Sequence, residues 1–126
     1  MKGTYKQIDD IKQIQALMKS AGWHPRTKKL WTDCLQNSSS VYSFCDKEKL
    51  IGLGRLVTDT KYAMIYDLVV HPEYQKQGIG KTIVSALIKK CPKGTAIGLF
   101  IEDNDNLKKF YKSLGFQPIQ GMQFKK

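Results

Sequence analysis

The chain contains no apolar run approaching the ~20 residues that cross a bilayer, so no membrane-spanning helix is expected. It has three cysteines, Cys34, Cys45 and Cys91, an odd number with no CxxC spacing. That argues against a disulfide framework and against a zinc site; no metal is expected, and the thiols read as small reduced hydrophobes. The opening Met1-Lys2-Gly3-Thr4-Tyr5 lacks the apolar centre of a secretory signal, which makes the cytoplasm the expected location. Acidic residues are scarce, 11 Asp and Glu against 21 Lys and Arg, for a net charge of +10. Such an excess permits binding to nucleic acid, to an anionic membrane or to a polyanionic small molecule. The lysines are scattered in pairs such as Lys28-Lys29 and Lys108-Lys109, so charge alone describes a solvated surface. Internal repeats and low-complexity tracts are absent too.

The 126 residues suit one domain spanning 1–126, with apolar content for one core. Thr4 to Ile8 reads as a first strand. Asp9 or Asp10 caps a helix with Ile11, Ile14, Leu17 and Met18 at helical spacing, closed by Gly22. Thr27 caps a second helix through Leu30, Trp31, Cys34 and Leu35. Three extended segments follow: Val41 to Cys45, Leu50 to Val57 with Gly52 and Gly54, and Tyr62 to Val70. Gly78 to Cys91 carries Ile79, Ile83 and Leu87 at four-residue steps, a helix ended by Pro92 and Gly94. Thr95 to Ile101 is a further strand, Asn104 to Leu114 a helix, and Phe116 to Phe124 a closing hairpin around Gly121. The strand-helix-strand unit from 62 to 101 pairs its two strands in parallel, whereas the meander before it is antiparallel. The class is α/β with a mixed sheet.

The sharpest local signal is Tyr74-Gln75-Lys76-Gln77-Gly78-Ile79-Gly80-Lys81-Thr82, between a strand and a helix. Glycine lets backbone approach a ligand, and the helix start presents unpaired N–H groups with the positive end of a dipole, a site for phosphate. Gly80-Lys81-Thr82 mimics the end of a P-loop, but that motif needs glycine where Gln75 stands. A dinucleotide fingerprint needs glycine where Ile83 stands. The pattern Gln/Arg-x-x-Gly-x-Gly/Ala is met by Gln75, Gly78 and Gly80.

Through this turn and a second segment the chain resembles the GNAT (Gcn5-related N-acetyltransferase) superfamily. Asp67 to Gly80 looks like that family's acetyl-CoA signature. Asn104 to Phe116, ending Tyr111-Lys112-Ser113-Leu114-Gly115-Phe116, is similar to its asparagine-containing helix. Gly52, Arg55 and Asp59 resemble a glycine-arginine strand found in a bacterial subgroup. The resemblance implies one α/β domain, with a mixed central sheet of about 6–7 strands, about 4 flanking helices and two splayed parallel strands. It implies acetyl-CoA as co-substrate, held through backbone at Leu68, Val69 and Val70 and by amides of Gln75, Lys76, Gln77, Gly78, Ile79, Gly80 and Lys81. Asn104 is implied to touch the CoA arm.

By the same resemblance Tyr111 is the general acid, a phenol of reference pKa about 10 that keeps its proton at neutral pH. The base is open: Asp67 is first choice by its place on the strand, with Asp59 and Glu102 as others. His71 is expected to shape the loop. Trp23, His24, Trp31 and Arg55 are placed on the acceptor side, with helix packing as the alternative for the two tryptophans. The implied activity is acetyl transfer to a primary amine of a small molecule or protein with release of CoA. The alternative is a non-catalytic acyl-CoA-binding regulatory domain. No nucleic-acid motif accompanies the positive charge, so nucleic acid and membrane are not expected partners. The C-terminal hairpin could support a homodimer.

Overall fold

A computed structural model describes residues 1–5 and 8–126. Strand β1 is Lys2–Thr4, helix α1 Ile11–Ser20 and helix α2 Lys28–Gln36. Strands β2 (Ser40–Asp46), β3 (Lys49–Thr58) and β4 (Tyr62–Val70) follow, then helix α3 (Ile79–Ile88), strand β5 (Ala96–Gly98) and helix α4 (Asp105–Ser113). Of the expected first strand, residues 6 and 7 lie outside the described residues, and β1 begins earlier than the sequence predicts. Side-chain caps set three helix starts. Asp10, Thr27 and Asn104 accept from the backbone N–H of Gln13, Leu30 and Leu107 respectively, satisfying donors that a helix start leaves unpaired.

The strands form one mixed sheet in sequence order, β1-β2-β3-β4-β5, antiparallel except for the parallel β4–β5 pair. Five strands form among the described residues, fewer than the expected six to seven. The missing ones are the closing hairpin: residues from 116 onward take no strand pairing, and Ile119, Met122 and Phe124 are exposed. The physical reason is a short template. β5 stops at Gly98, so it offers a three-residue edge, and Pro118 removes a ladder donor from the segment that would pair with it.

Two apolar clusters sandwich the sheet. On one face Ile11, Ile14, Leu17 and Met18 of α1, with Trp31 and Leu35 of α2, pack on Val41, Leu50, Leu53 and Val69. On the other, Ile79, Ile83, Val84 and Leu87 of α3 pack on Ile51, Leu56, Ala63 and Ile65. Each fully buried leucine, isoleucine, valine or methionine among them contributes about 1.5–3 kcal/mol of transfer free energy. Gly52 and Gly54 bring α3 close to β3, because a Cβ on Gly54 would lie 2.7 Å from Ile83 Cγ2.

Two departures from regularity make the site. β5 pairs with β4 over Tyr62, Ala63 and Met64 only, so the rest of β4 has an open edge on that side. β4 also carries a bulge. Its register against β3 slips between Leu53 and Arg55, and Asp67 adopts a left-handed φ of 54°. Before the bulge Ile65 faces α3; after it Leu68 and Val70 face α3 while Val69 faces α1. The slip turns Asp67 away from Ile65 toward the linker between α1 and α2.

Candidate active site

The site is assembled around the open half of β4. At its end His71 donates its backbone N–H to the Ile51 carbonyl at 2.7 Å, and its Nδ1 accepts from the Glu73 N–H at 3.1 Å. His71 therefore shapes the loop, with one ring nitrogen spent on backbone. Tyr74 is tied down by donating to Asp46 Oδ2 at 2.8 Å, and Gln75 Nε2 donates to the Val70 carbonyl at 3.2 Å.

Between these anchors the chain coils. Lys76 (φ 63°) and Gly78 (φ 80°) are left-handed and Gln77 between them is not. Alternation of hand turns successive N–H groups toward one concave side, an anion-binding geometry. Gly78 is the N-cap of α3 and no side chain caps it, so the first amides of Ile79, Gly80 and Lys81 remain available to a ligand. A Cβ built on Gly78 meets nothing within 4 Å: the space beside it is open. Lys76 and Lys81 are exposed and add positive charge. Uncapped amides, an open cradle and two lysines fit a pyrophosphate group, the anionic part of CoA.

Gly80 links this turn to α4. A Cβ there would come within 3.3 Å of Phe110 Cζ, so the glycine lets Phe110 rest on the first turn of α3. Phe110 is edge-on to Tyr111 at 5.0 Å, and Tyr111 to Phe116 at 5.7 Å. Burial pushes the Tyr111 phenol up to about 12. Its hydroxyl has no hydrogen-bond partner among the described residues, yet it is not sealed off. It borders an open groove of about 790 Å³, walled by β5, α4 and the C-terminal segment, which reaches neither the glycine turn nor Asp67. Tyr111 is thus a protonated donor with its proton free to be aimed. Asn104 spends its Oδ1 as the cap of α4, accepting from the Leu107 N–H at 3.1 Å, and is otherwise exposed.

On the opposite face of β4 lies a cluster that the sequence does not announce. Arg26, in the α1–α2 linker, donates from Nη1 to Asp67 Oδ2 at 2.8 Å and from Nη2 to Oδ1. Arg55 of β3 donates from Nε to Oδ2 at 2.6 Å and from Nη1 to Ser38 Oγ at 3.3 Å. The Arg26 guanidinium lies 4.4 Å over the Trp31 ring and that of Arg55 5.0 Å over Tyr66. Burial would raise the Asp67 carboxyl, but hydrogen bonds from Arg26 and Arg55 outweigh it and hold the group below its ordinary value.

This speaks against the base role expected of Asp67. Its lone pairs are engaged by two guanidiniums, and a carboxylate of lowered pKa is a poor proton acceptor. The other candidates are no better prepared. Asp59 Oδ1 accepts from the N–H groups of Lys61 and Tyr62, closing the β3–β4 turn, and Glu102 is exposed beyond β5. Trp31 is a core residue, whereas Trp23 and His24 are exposed. Arg26 and Ser38 were missed. An arginine after proline in a linker has no local pattern; the one available signal was a buried carboxylate on β4 in need of partners.

Comparison with known proteins shows the family. The family model described as Acetyltransferase (GNAT) family matches residues 8–116. An uncharacterised N-acetyltransferase, ycf52, of Pyropia yezoensis is 34% identical over 114 residues, covering 85% of this chain and 64% of that protein. The histone acetyltransferase TAP1 of Glycine max is 30% identical over 129 residues, covering 90% of this chain and 56% of that protein. The chain thus spans less than two thirds of the length of these relatives. A solved GNAT-family acetyltransferase from Streptococcus pneumoniae superposes with a TM-score of 0.86 at 26% identity, over 99% of this chain and 97% of that one.

Proposed function

Since the chain belongs to the Acetyltransferase (GNAT) family, we propose that it transfers an acetyl group from acetyl-CoA to a primary amine, releasing CoA. The observation that carries this reading is the uncapped, left-handed Gly78 turn, packed through Gly80 and Phe110 against the helix that bears Tyr111. Acetyl-CoA supplies the activated acyl group. Backbone amides from Gln75 to Lys81 hold its pyrophosphate, and Lys76 and Lys81 add charge. The open edge of β4 at Leu68, Val69 and Val70 accepts the pantetheine by strand-like pairing. An N–H at Leu68 is positioned to donate to the acyl oxygen as negative charge grows on it. Asn104 contributes its free Nδ2 near the arm.

Tyr111 donates toward the sulfur. A phenol at about 12 is a weaker acid than a thiol of about 8.5, so full proton transfer to a free thiolate runs uphill by three to four pH units. Tyr111 therefore acts as a hydrogen-bond donor to the developing charge, completing proton transfer only as the amine's proton is released. With Asp67 engaged, water takes that proton and returns one to the Tyr111 oxygen once the thiol is protonated. Among the described residues no helix is long and apolar enough to cross a membrane, and a cytoplasmic enzyme acting as monomer or homodimer goes with this reading.

Thiol release from acetyl-CoA across a panel of amines, run beside Tyr111→Phe, tests it. Turnover by the wild type and a kcat lower by roughly a hundredfold to a thousandfold in the variant are expected, the scale of one positioned donor. Tight CoA binding with no turnover of any amine would instead make this a binding domain.

A further inference from the structure

One carboxylate faces two guanidiniums in the Asp67 cluster, and neither arginine has a second carboxylate within salt-bridge distance among the described residues. The cluster therefore keeps one positive charge over. That charge is not freely solvated: side-chain exposure is 23% for Arg26, 12% for Arg55 and 5% for Asp67. Taking charge out of water without a counter-charge is costly, and a purely structural tie between the α1–α2 linker and β4 would need only one arginine.

Both arginines are also held rigid. Arg26 lies over the Trp31 ring, Arg55 over the Tyr66 ring, and Ser38 accepts from a second edge of Arg55. Rigid, partly desolvated guanidiniums with donors left over recognise planar carboxylates well. Position adds the rest. Asp67 faces the α1–α2 side, whereas Leu68, the next residue, faces α3. One strand thus carries the anion-favouring face and, about 3.8 Å along between Cα atoms, the backbone proposed to hold the thioester.

We propose that Arg26 and Arg55 anchor the carboxylate of the acceptor, which makes the acceptor an amine carrying its own carboxylate a few bonds away. An amino acid has that form. The inference rests on the acetyl-transfer reading above, and it predicts selectivity that the reading alone does not. Asp67 orients both guanidiniums in the free enzyme, and the incoming carboxylate neutralises the remaining charge.

The test uses glycine, phenylalanine and glutamate, each beside its α-carboxamide, with phenethylamine and spermidine as amines that lack a carboxylate. Wild type, Arg26→Gln and Arg26→Lys are compared by thiol release. The readout is the ratio of kcat/KM for an acid over its amide, because a folding defect or a weaker CoA site lowers both alike. In Arg26→Gln the ratio is expected to fall by roughly tenfold to a hundredfold, the scale of lost charged hydrogen bonds, mostly through KM. Arg26→Lys restores part of it. Propionate should compete with the acceptor but not with acetyl-CoA, and lose that effect in Arg26→Gln. A ratio unmoved by Arg26→Gln, or turnover of the amides, phenethylamine or spermidine without the acids, overturns the anchor and leaves acetyl transfer standing. No turnover of any amine while CoA binds overturns acetyl transfer itself, and the anchor with it.

Discussion

The glycine turn and the Asp67 cluster adjoin the same strand and are made of different materials. The turn is backbone: contiguous residues from 74 to 82, two left-handed torsions and an uncapped helix start. The cluster is side chain: Arg26 from a linker, Ser38 from the turn before β2, Arg55 from β3 and Asp67 from a bulge in β4. A backbone site offers the same donors whatever the side chains, so it suits a constant ligand such as the CoA pyrophosphate. A side-chain site changes with each substitution, so it suits the variable partner, the acceptor. The difference also separates binding from stability. Nothing in the core rests on the open space beside Gly78, whereas the cluster ties the α1–α2 linker to the sheet.

The largest effect should come from breaking the cluster. Asp67→Ala leaves two partly buried guanidiniums without a counter-charge, which costs about 3 kcal/mol or more of unfolding free energy. Urea denaturation without ligand measures it. A loss below about 1 kcal/mol would mean that solvent already compensates these arginines and that the cluster resembles an ordinary surface pair.

Gly78→Asp probes the other region and should show the reverse balance. A Cβ there meets no atom within 4 Å, so packing is undisturbed. The left-handed φ of 80° costs aspartate about 1 kcal/mol relative to glycine. CoA affinity, in contrast, should fall by roughly a hundredfold, because the carboxylate repels the pyrophosphate from the helix start. Titration calorimetry with CoA reads this directly. Gly78→Asn, which tolerates the same torsion without charge, should retain more affinity; equal losses in the two variants would assign the effect to conformation.

The same contrast explains what could be read from the chain. The turn was legible because its cause is local: Gly78 takes the left-handed torsion at the helix start, Gly80 leaves room for Phe110, and the absence of glycine at 75 and 83 removes two rival motifs. Helices α1, α2 and α3 were legible from apolar periodicity, and Gly52 and Gly54 were open to the close packing that α3 in fact makes. The bulge at Asp67 was not fixed by the sequence. Strict alternation puts Asp67 on the face of Ile65, and only a one-residue register slip against β3 turns it toward Arg26. The closing hairpin failed for a similar reason. Phe116, Ile119, Met122 and Phe124 around Gly121 supply apolar residues and a turn for a hairpin, but pairing depends on the length of β5, which ends at Gly98.

The smallest predicted effect is a pH dependence, and it shows how the cluster stabilises the fold. Asp67 is held below the value of about 3.9 that it has when unfolded. A carboxyl with a depressed folded pKa contributes stability that is fully present above the unfolded value and is lost as pH falls through the folded one. Wild type should therefore lose stability on going below about pH 4 more steeply than Asp67→Asn, which starts lower and has no such proton to take up. Asp103 complicates the window, because its hydrogen bond from Lys108 at 2.6 Å also lowers it. That pair lies at the exposed start of α4 and is screened by salt, whereas the Asp67 cluster is largely shielded from it. Denaturation at about 0.5 M salt should thus remove the Asp103 contribution and leave the difference between wild type and Asp67→Asn. If salt removes the difference as well, solvent reaches the arginines, and the cluster is a surface feature of β4 instead of a built part of its acceptor side.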